Sequence, residues 1–234
     1  MTVILVRRFI MDYFVLKKSV LFKGIPVKEL RELLKETPHR IQNYKKDETV
    51  FHLTDQALRI GIILEGRVEA QKSFPNGNQI NVSVRESGEM IGAAAAFSQS
   101  GIYPCDIVSL ETTSVMMFRK EDLLSLMQKD VRILHNFISE IASAAYMLQQ
   151  RLELQSYSGI AQKAAFWLLM QIRQTGKKRV IVPESISRWA MLMNVSRPSL
   201  HRELKKLEQQ GIISCKDSTV IIHNTEALQN VLSR

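Results

Sequence analysis

Three polar residues near the C-terminus, Arg197, Ser199 and Arg202, are of types that hydrogen-bond to the edges of nucleic-acid bases. An arginine donates two parallel hydrogen bonds to O6 and N7 of guanine, and a serine hydroxyl bonds to several bases. Such side chains discriminate between bases only when a rigid element holds them together in a groove. The residues on either side of them therefore decide whether this chemistry is available.

The spacing of Ala190, Asn194 and Leu200 predicts a helix-turn-helix over Ser185–Leu207. A small residue in the first helix lets the second helix cross closely. Four positions later the turn needs a residue that accepts a left-handed conformation, and Asn is one of the few that does. Six positions further, an apolar residue packs the second helix back. This motif predicts a partner, double-stranded DNA, whose major groove receives the second helix.

Within the second helix, Ser196 is expected to be the N-cap, and Pro198 fits the first turn because the amide it lacks would be unpaired there. Three leucines form the inward stripe, so the basic residues remain for the other faces. We expect Arg197, Ser199 and Arg202 to contact bases, with phosphate contact as the alternative for the arginines. Ser196, Lys205, Lys206 and Arg188 complete the predicted DNA-binding set. Of the basic residues on the other faces, we expect Lys205, Lys206 and His201 to contact the DNA backbone or solvent.

The charge of the chain is concentrated at this end. The chain carries 32 Lys and Arg against 23 Asp and Glu, a formal net charge of +9. From Ser156 onward we count 12 basic and 5 acidic residues, or +7, which leaves +2 for residues 1–155. A basic excess confined to one part is expected if that part alone meets phosphates.

A long helix is predicted ahead of this region. Apolar residues recur at alternating intervals of three and four, which is the pattern of a coiled-coil seam. The alternative is a helix that packs on its own domain. Tyr157-Ser158-Gly159 interrupts this helix and predicts a hinge. The predicted dimer interface consists of Leu134, Ile138, Ile141, Ala145, Leu148 and Leu152.

The first half of the chain predicts many short strands. They cover Ile60–Leu64, Val68–Gln71, Ile80–Val84, Asp106–Leu110 and Ser114–Phe118, with a hairpin turn at Pro75–Asn78 and a helix over Val20–Lys35. Short, evenly spaced strands favour a sandwich or barrel. After Gly211, Ile212–Cys215 and Val220–His223 predict a second hairpin, placed as the wing of a winged helix.

No membrane span or metal site is predicted. The apolar segment Met1–Phe22 is interrupted by charges and is interpreted as a packed or interfacial helix, so the expected location is the cytoplasm. The two cysteines, Cys105 and Cys215, lie far apart in no metal-binding or disulfide spacing. We expect no catalytic residues and no cofactor.

The whole pattern resembles the Crp–Fnr family of bacterial transcription regulators. The resemblance rests on Ser185–Ile213, on Leu21–Ile25, on Ile62–Val68 and on Ser87–Gly92. It implies an α+β fold with a β-roll (jelly-roll, cupin-like, of the cyclic-nucleotide-binding type) over 1–130, a dimerisation helix over 131–156 and a winged helix-turn-helix over 157–234. It also implies a homodimer on a two-fold operator that touches RNA polymerase.

The resemblance weakens at the effector pocket. A cyclic-nucleotide pocket of this family carries a Glu shortly after the glycine and an Arg further on. Here alanines follow Gly92, and the later segment reads Tyr103-Pro104-Cys105-Asp106, so a phosphate anion lacks a cation. We expect cyclic AMP not to bind in the ordinary way, which leaves two alternatives, another small molecule or no ligand at all. The candidate pocket residues are Ile91, Gly92, Ala93, Ala94, Tyr103 and Cys105.

Other functions remain open at the level of sequence. A cupin-like protein that binds a small molecule and has no DNA role is the main alternative, but it would not need the basic C-terminal third. A metal-dependent enzyme on the same scaffold would need a cluster of histidines that the β region does not offer. Haem binding through His39, His52 or His135 and redox sensing by Cys105 are weaker alternatives.

Overall fold

The computed structural model describes residues 13–73, 79–183 and 185–233, and it divides into two compact units, Met1–Ser143 and Ala144–Arg234. The division falls within the long helix, so it differs from the limits expected at 130 and 157, which stay a prediction. The expected turn at Pro75–Asn78 and the first 12 residues of the expected N-terminal helix lie outside the described residues.

The first unit contains two antiparallel four-stranded sheets, ordered β1-β8-β3-β6 and β2-β7-β4-β5. All five strands predicted from the sequence are present, each with its bounds shifted by a few residues at most. The strands are β1 (Arg40–Tyr44), β2 (Thr49–Phe51), β3 (Arg59–Glu65), β4 (Arg67–Ser73), β5 (Gln79–Glu86), β6 (Met90–Ile91), β7 (Asp106–Ser109) and β8 (Thr113–Arg119).

Strand β3 is the centre of this unit, since its five interior residues are all buried and it pairs with both β8 and β6. The strand turns sharply into β4 at Gly66, whose φ is +86°. A Cβ at this position would lie 2.6 Å from the Thr112 carbonyl oxygen, so only glycine fits. Gly66 thereby carries the chain from one sheet to the other, since β3 and β4 belong to different sheets.

Helices pack around the two sheets. Residues 13–18 are helical (α1), and they are followed by a 3₁₀ turn at Val20–Phe22, α2 (Val27–Lys35), α3 (Ala93–Phe97), α4 (Lys120–Lys129) and α5 (Val131–Ser156). The single helix predicted over Val20–Lys35 is wrong, because the chain breaks at Gly24 (φ +80°) and α2 begins only after Pro26. The start of α5 buries Ile133 and Phe137 in the core of this unit.

The second unit consists of the end of α5, a three-stranded sheet and four further helices. They are α6 (Ile160–Thr175), β9 (Arg179–Ile181), α7 (Ile186–Leu192), α8 (Arg197–Gln209), β10 (Ile213–Lys216), β11 (Thr219–Ile222) and α9 (Thr225–Leu232). The sheet order is β10-β11-β9. The hydrophobic core of the second unit includes Trp167, Trp189, Leu200 and Leu204. The predicted interruption at Tyr157–Gly159 separates α5 from α6, where the Gly159 amide donates to Gln162 Oε1.

Candidate DNA-binding surface and effector region

The turn between α7 and α8 has the predicted helix-turn-helix geometry. Asn194 adopts a left-handed conformation with φ of 54°, and the following amide, that of Val195, donates a 3.0 Å hydrogen bond to the Ala190 carbonyl. Ala190 is buried on α7, and Leu200 is fully buried on the inward face of α8. The prediction from the spacing of these residues is confirmed.

Helix α8 begins with a side-chain N-cap, Ser196. The Ser196 hydroxyl oxygen accepts a hydrogen bond from the Ser199 amide (3.2 Å) and donates to the Ser199 hydroxyl (2.8 Å), and Pro198 lies in the first turn. This arrangement satisfies an amide that would otherwise have no intrahelical partner. It also engages the Ser199 oxygen as an acceptor and leaves its hydroxyl proton for a base.

One face of α8 is buried and the other is basic. Leu200, Leu204 and Leu207 form the buried stripe, as predicted. At 100° per residue, Arg202 lies almost opposite that stripe. Arg197 is the first residue of the helix and is exposed, and Arg188 is exposed on α7. The structure thus places the predicted arginines on the surface of one small unit.

The cations of this surface differ in how they are paired. Lys205 contacts Glu208 and Lys206 contacts Glu203, each with Nζ 2.8 Å from a carboxylate oxygen. The hydrogen bond to Glu208 raises the pKa of Lys205, and Lys205 together with the Cys215 amide lowers the pKa of Glu208. Sequence reasoning missed these carboxylates, although the spacing of three residues on a helix signals such pairs.

Among the residues that the structure describes, Arg188, Arg197 and Arg202 have no carboxylate within ion-pair distance. An arginine without a carboxylate partner keeps all five of its donors available for phosphate or base atoms. The three arginines are therefore the stronger candidates for DNA contact, and the two paired lysines are weaker ones.

The hairpin that follows α8 is the predicted wing. Strands β10 and β11 pair in register from Ile213 and Ile222 to Lys216 and Thr219. The two-residue loop between them contains Asp217, whose φ of 53° is typical of tight hairpin turns. Strand β9 pairs with the other side of β11, which anchors the wing to the second unit.

Two family models match this chain, one in each of the two units. Residues 162–231 match the model described as "Crp-like helix-turn-helix domain", and residues 41–130 match "Cyclic nucleotide-binding domain". The chain belongs to the Crp–Fnr family. Members of this family are transcription regulators, and this chain is a regulator with a helix-turn-helix DNA-binding domain. The alternative of a cupin-like protein without a DNA role is therefore wrong.

Several Crp–Fnr relatives match over most of their length. The cyclic AMP receptor protein of Thermus thermophilus is 23% identical over 92% of this chain and 98% of its own. The regulator Vfr of Pseudomonas aeruginosa is 22% identical over 85% and 95% of the two chains. The crystal structure of the Thermus thermophilus catabolite activator protein has a TM-score of 0.53 at 21% identity over 92% and 99%, which shows a shared fold.

The candidate effector region lies in the first unit, within the residues that match the cyclic nucleotide-binding domain model. Gly92 has φ +77° and precedes the short helix α3, in which Ala93 is buried and Ala94 is exposed. Two stacked rings lie directly beside this glycine, because a Cβ at Gly92 would be 2.8 Å from the Phe51 ring and 3.1 Å from the Tyr103 ring. Of the predicted pocket residues, Ile91, Ala93 and Tyr103 are buried.

Two polar side chains of this region, Tyr103 and Asp106, are engaged with the protein itself. The Tyr103 hydroxyl donates to the Arg59 carbonyl oxygen at 2.8 Å, and Asp106 Oδ1 accepts from the Leu53 amide at 2.8 Å. Burial raises the pKa of the Cys105 thiol, and Asp106 raises it further. Cys105 therefore lacks the low pKa that a redox-sensing thiolate needs.

The predicted seam of α5 divides between two environments. Leu134 and Ile141 pack partly against the core of the first unit. By contrast, Ile138, Leu148 and Leu152 leave 57%, 59% and 65% of their surface exposed. The start of α5 thus packs on its own domain, and the exposed remainder of the seam leaves the dimer interface a prediction.

The histidines gather into no metal site within the described ranges, where no group of three or more metal-ligating side chains occurs. His39 Nδ1 lies 2.8 Å from the Thr37 carbonyl oxygen, and its ring packs against Phe118. Among the same residues, no helix has the length and apolar character that crossing a bilayer requires.

Proposed function

We propose that two copies of this chain join through α5 and bind a two-fold DNA site, with one α8 helix in each of two successive major grooves. In this proposal Arg197, Ser199 and Arg202 contact base edges. Arg188, Ser196, Lys205 and Lys206 contact phosphates and fix the position of the helix on the duplex. The observation that carries the proposal is that Arg197 and Arg202 lie in the N-terminal half of the second helix of a helix-turn-helix and, among the described residues, have no carboxylate within ion-pair distance.

The dimer is supported by the exposed apolar side chains of α5. Ile138, Leu148 and Leu152 belong to one stripe with spacings of three and four, and each exposes more than half of its surface. Contiguous exposed apolar patches are characteristic of protein interfaces. Ala145 lies in the same stripe and would let two helices approach closely. A second copy of the chain is the partner that such a self-complementary stripe fits.

The proposed signal acts on the first unit and is a ligand other than cyclic AMP. The two relatives named above are called a cyclic AMP receptor protein and a cAMP-activated global transcriptional regulator. In this chain, however, Ala93 and Ala94 stand where the family carries an acid, and Tyr103 and Cys105 stand in the segment that carries the cation. Apolar burial without a cation does not stabilise a cyclic phosphate.

The regulator is proposed to work in the cytoplasm, where it meets both DNA and RNA polymerase. A ligand that favours one arrangement of the dimer shifts the population between DNA-binding and non-binding states. Polymerase contact follows from the role of the family in transcription. No step of this proposal involves catalysis or a metal.

Selection of DNA from a random pool by the purified protein tests the proposal. The expected product is an inverted repeat whose half-sites are about 10 base pairs apart, since α8 helices of a dimer meet successive turns of one face of the duplex. The affinity should fall steeply with salt as phosphate contacts release counterions. A pool that remains random after selection at moderate salt, with folded protein, contradicts the proposal.

A further inference from the structure

Lys163 is a charged residue in the interior of the second unit. It lies on α6 within an unbroken run of buried residues, Lys163–Leu169, and exposes only 9% of its surface. Burial of an ammonium group is costly unless partners replace its water. Two partners do so here, because Lys163 Nζ donates to the Met193 carbonyl oxygen at 3.1 Å and to Gln155 Oε1 at 3.2 Å.

Both partners belong to elements that frame the DNA-binding turn. Met193 is the C-cap of α7 and immediately precedes Asn194, the left-handed turn residue. Gln155 lies in the last turn of α5, and its amide Nε2 donates to the carbonyl oxygen of Leu192 at 3.4 Å. Carbonyls at a helix end lack intrahelical partners, and a cation there is favoured by the helix dipole. Lys163 and Gln155 thus bind two adjacent carbonyls at the end of α7.

A second contact between α6 and α7, one helical turn away from Lys163, fixes the orientation of α7. Trp167 follows Lys163 by four residues on α6, and Trp189 precedes Met193 by four residues on α7. The two indole rings pack with their centroids 4.8 Å apart. Two contacts at different levels prevent α7 from rotating about either one alone.

We propose that Lys163, together with Gln155, is a positioning residue for DNA recognition, which sets the angle between the end of α5 and the reading helix α8. This inference rests on the proposed function, in which α5 joins the two copies. If so, the angle determines how far apart the two α8 helices lie on the DNA. Lys163 itself is too buried to contact a phosphate, so its effect must pass through the turn.

The experiment measures binding of full-length protein to the DNA selected above and to duplexes whose half-sites are moved apart or together by one or two base pairs. Lys163→Met keeps the length of the side chain and removes both hydrogen bonds. We expect about tenfold weaker binding at the optimal spacing, which corresponds to about 1.4 kcal/mol, and a flatter dependence on spacing. The salt dependence should be unchanged, because no phosphate contact is lost.

Three further variants serve as comparisons. Lys163→Arg keeps the charge and the donors, and it should recover part of the affinity and the spacing preference. Gln155→Leu removes one partner from an exposed position, so it should fold and shift binding in the same direction even if Lys163→Met does not fold. Lys129→Met, in the first unit where Lys129 pairs with Glu36, loses one positive charge and should leave the spacing optimum in place.

Two results would overturn the inference. In one, Lys163→Met and Gln155→Leu fold and keep the affinity and the spacing optimum of the unaltered protein. In the other, they weaken binding equally at every spacing and reduce the salt dependence, as loss of a phosphate contact would. A different result, in which the unaltered protein selects no two-fold site, refutes the proposed function, and the inference falls with it.

Discussion

The rings of Phe51 and Tyr103 are stacked, with an interplanar angle of 8° and 4.4 Å between their centroids. Both residues are buried, and they lie beside Gly92, the last residue of the segment Ser87–Gly92 that resembles the Crp–Fnr family. Stacked aromatic rings are apolar surface and bring no cation to an anion. The stack therefore supports the expectation that cyclic AMP does not bind here in the ordinary way.

Cyclic AMP is accordingly expected to bind weakly. Titration calorimetry on the full-length protein should give a dissociation constant above about 1 mM, less than about 4 kcal/mol of binding free energy. Ala94 is exposed at this site, so Ala94→Trp should fold and serves as a blocking control. Micromolar binding by the unaltered protein that Ala94→Trp abolishes would show that the site accepts the nucleotide after all.

Arg197→Ala is predicted to relax sequence specificity at one base position in each half-site. Loss of a bidentate contact to guanine costs about 1–3 kcal/mol against the preferred base and much less against the others. The measurement is the affinity for the selected duplex and for its single-base variants. Lys206→Ala is the matched control, because Lys206 is paired with Glu203 and should weaken binding to all sequences alike. Uniform weakening by Arg197→Ala would make it a phosphate contact only.

Leu148→Glu is predicted to give monomers. In a dimer joined through α5, this side chain would place a carboxylate in an apolar seam, which is costly because the charge loses its water. Leu148 is preferable to Ile141 as a test, since Ile141 packs on the core of the first unit and its replacement would also disturb that core. Sedimentation should show half the mass of the unaltered protein.

Ser143→Glu adds the same charge to an exposed position of α5 outside the apolar stripe. It should leave the mass unchanged. A Leu148→Glu protein that still sediments as a dimer would exclude the seam as the interface.

The two cysteines are predicted to react slowly with alkylating agents at neutral pH. Burial, the largest cause, raises the pKa of Cys215 to about 11, and the nearby Glu208 adds to the rise. A raised pKa favours the neutral thiol, and only the thiolate is nucleophilic. The rate of alkylation of Cys215 in the folded protein should therefore increase through pH 9 to 11. Rapid modification at pH 7 of either residue would reopen redox sensing.

Much of the second unit was predictable from sequence because its signals are local. The small residue Ala190, the turn residue Asn194 and the cap Ser196 each act within a few positions, so spacing alone indicates the helix-turn-helix. Contacts between distant residues carry no such signal. Lys163 meets Met193 across 30 positions and Phe51 meets Tyr103 across 52, and only the folded chain brings these pairs together.

The error at Val20–Lys35 has a local cause in the sequence. Its apolar residues follow a helical period, yet Gly24 and Pro26 lie between them. Proline removes a backbone donor and disfavours the helical conformation in the residue before it. The periodic pattern survives because both pieces, the turn at Val20–Phe22 and α2, pack on the same core.

Asn194 is predicted to tolerate glycine but not a β-branched residue. Its φ of 54° lies in the left-handed region, which costs most residues roughly 1–2 kcal/mol and costs glycine almost nothing. Asn194→Gly should therefore keep the free energy of unfolding within about 1 kcal/mol of the unaltered protein, and Asn194→Val should lower it by about 2 kcal/mol or more. Chemical denaturation measures both values.

Because the turn sets how α7 meets α8, DNA affinity should fall for Asn194→Val even at temperatures where the protein remains folded, and it should persist for Asn194→Gly. Equal stability and affinity in both variants would mean that the turn relaxes without cost and that its left-handed residue does not fix the reading helix.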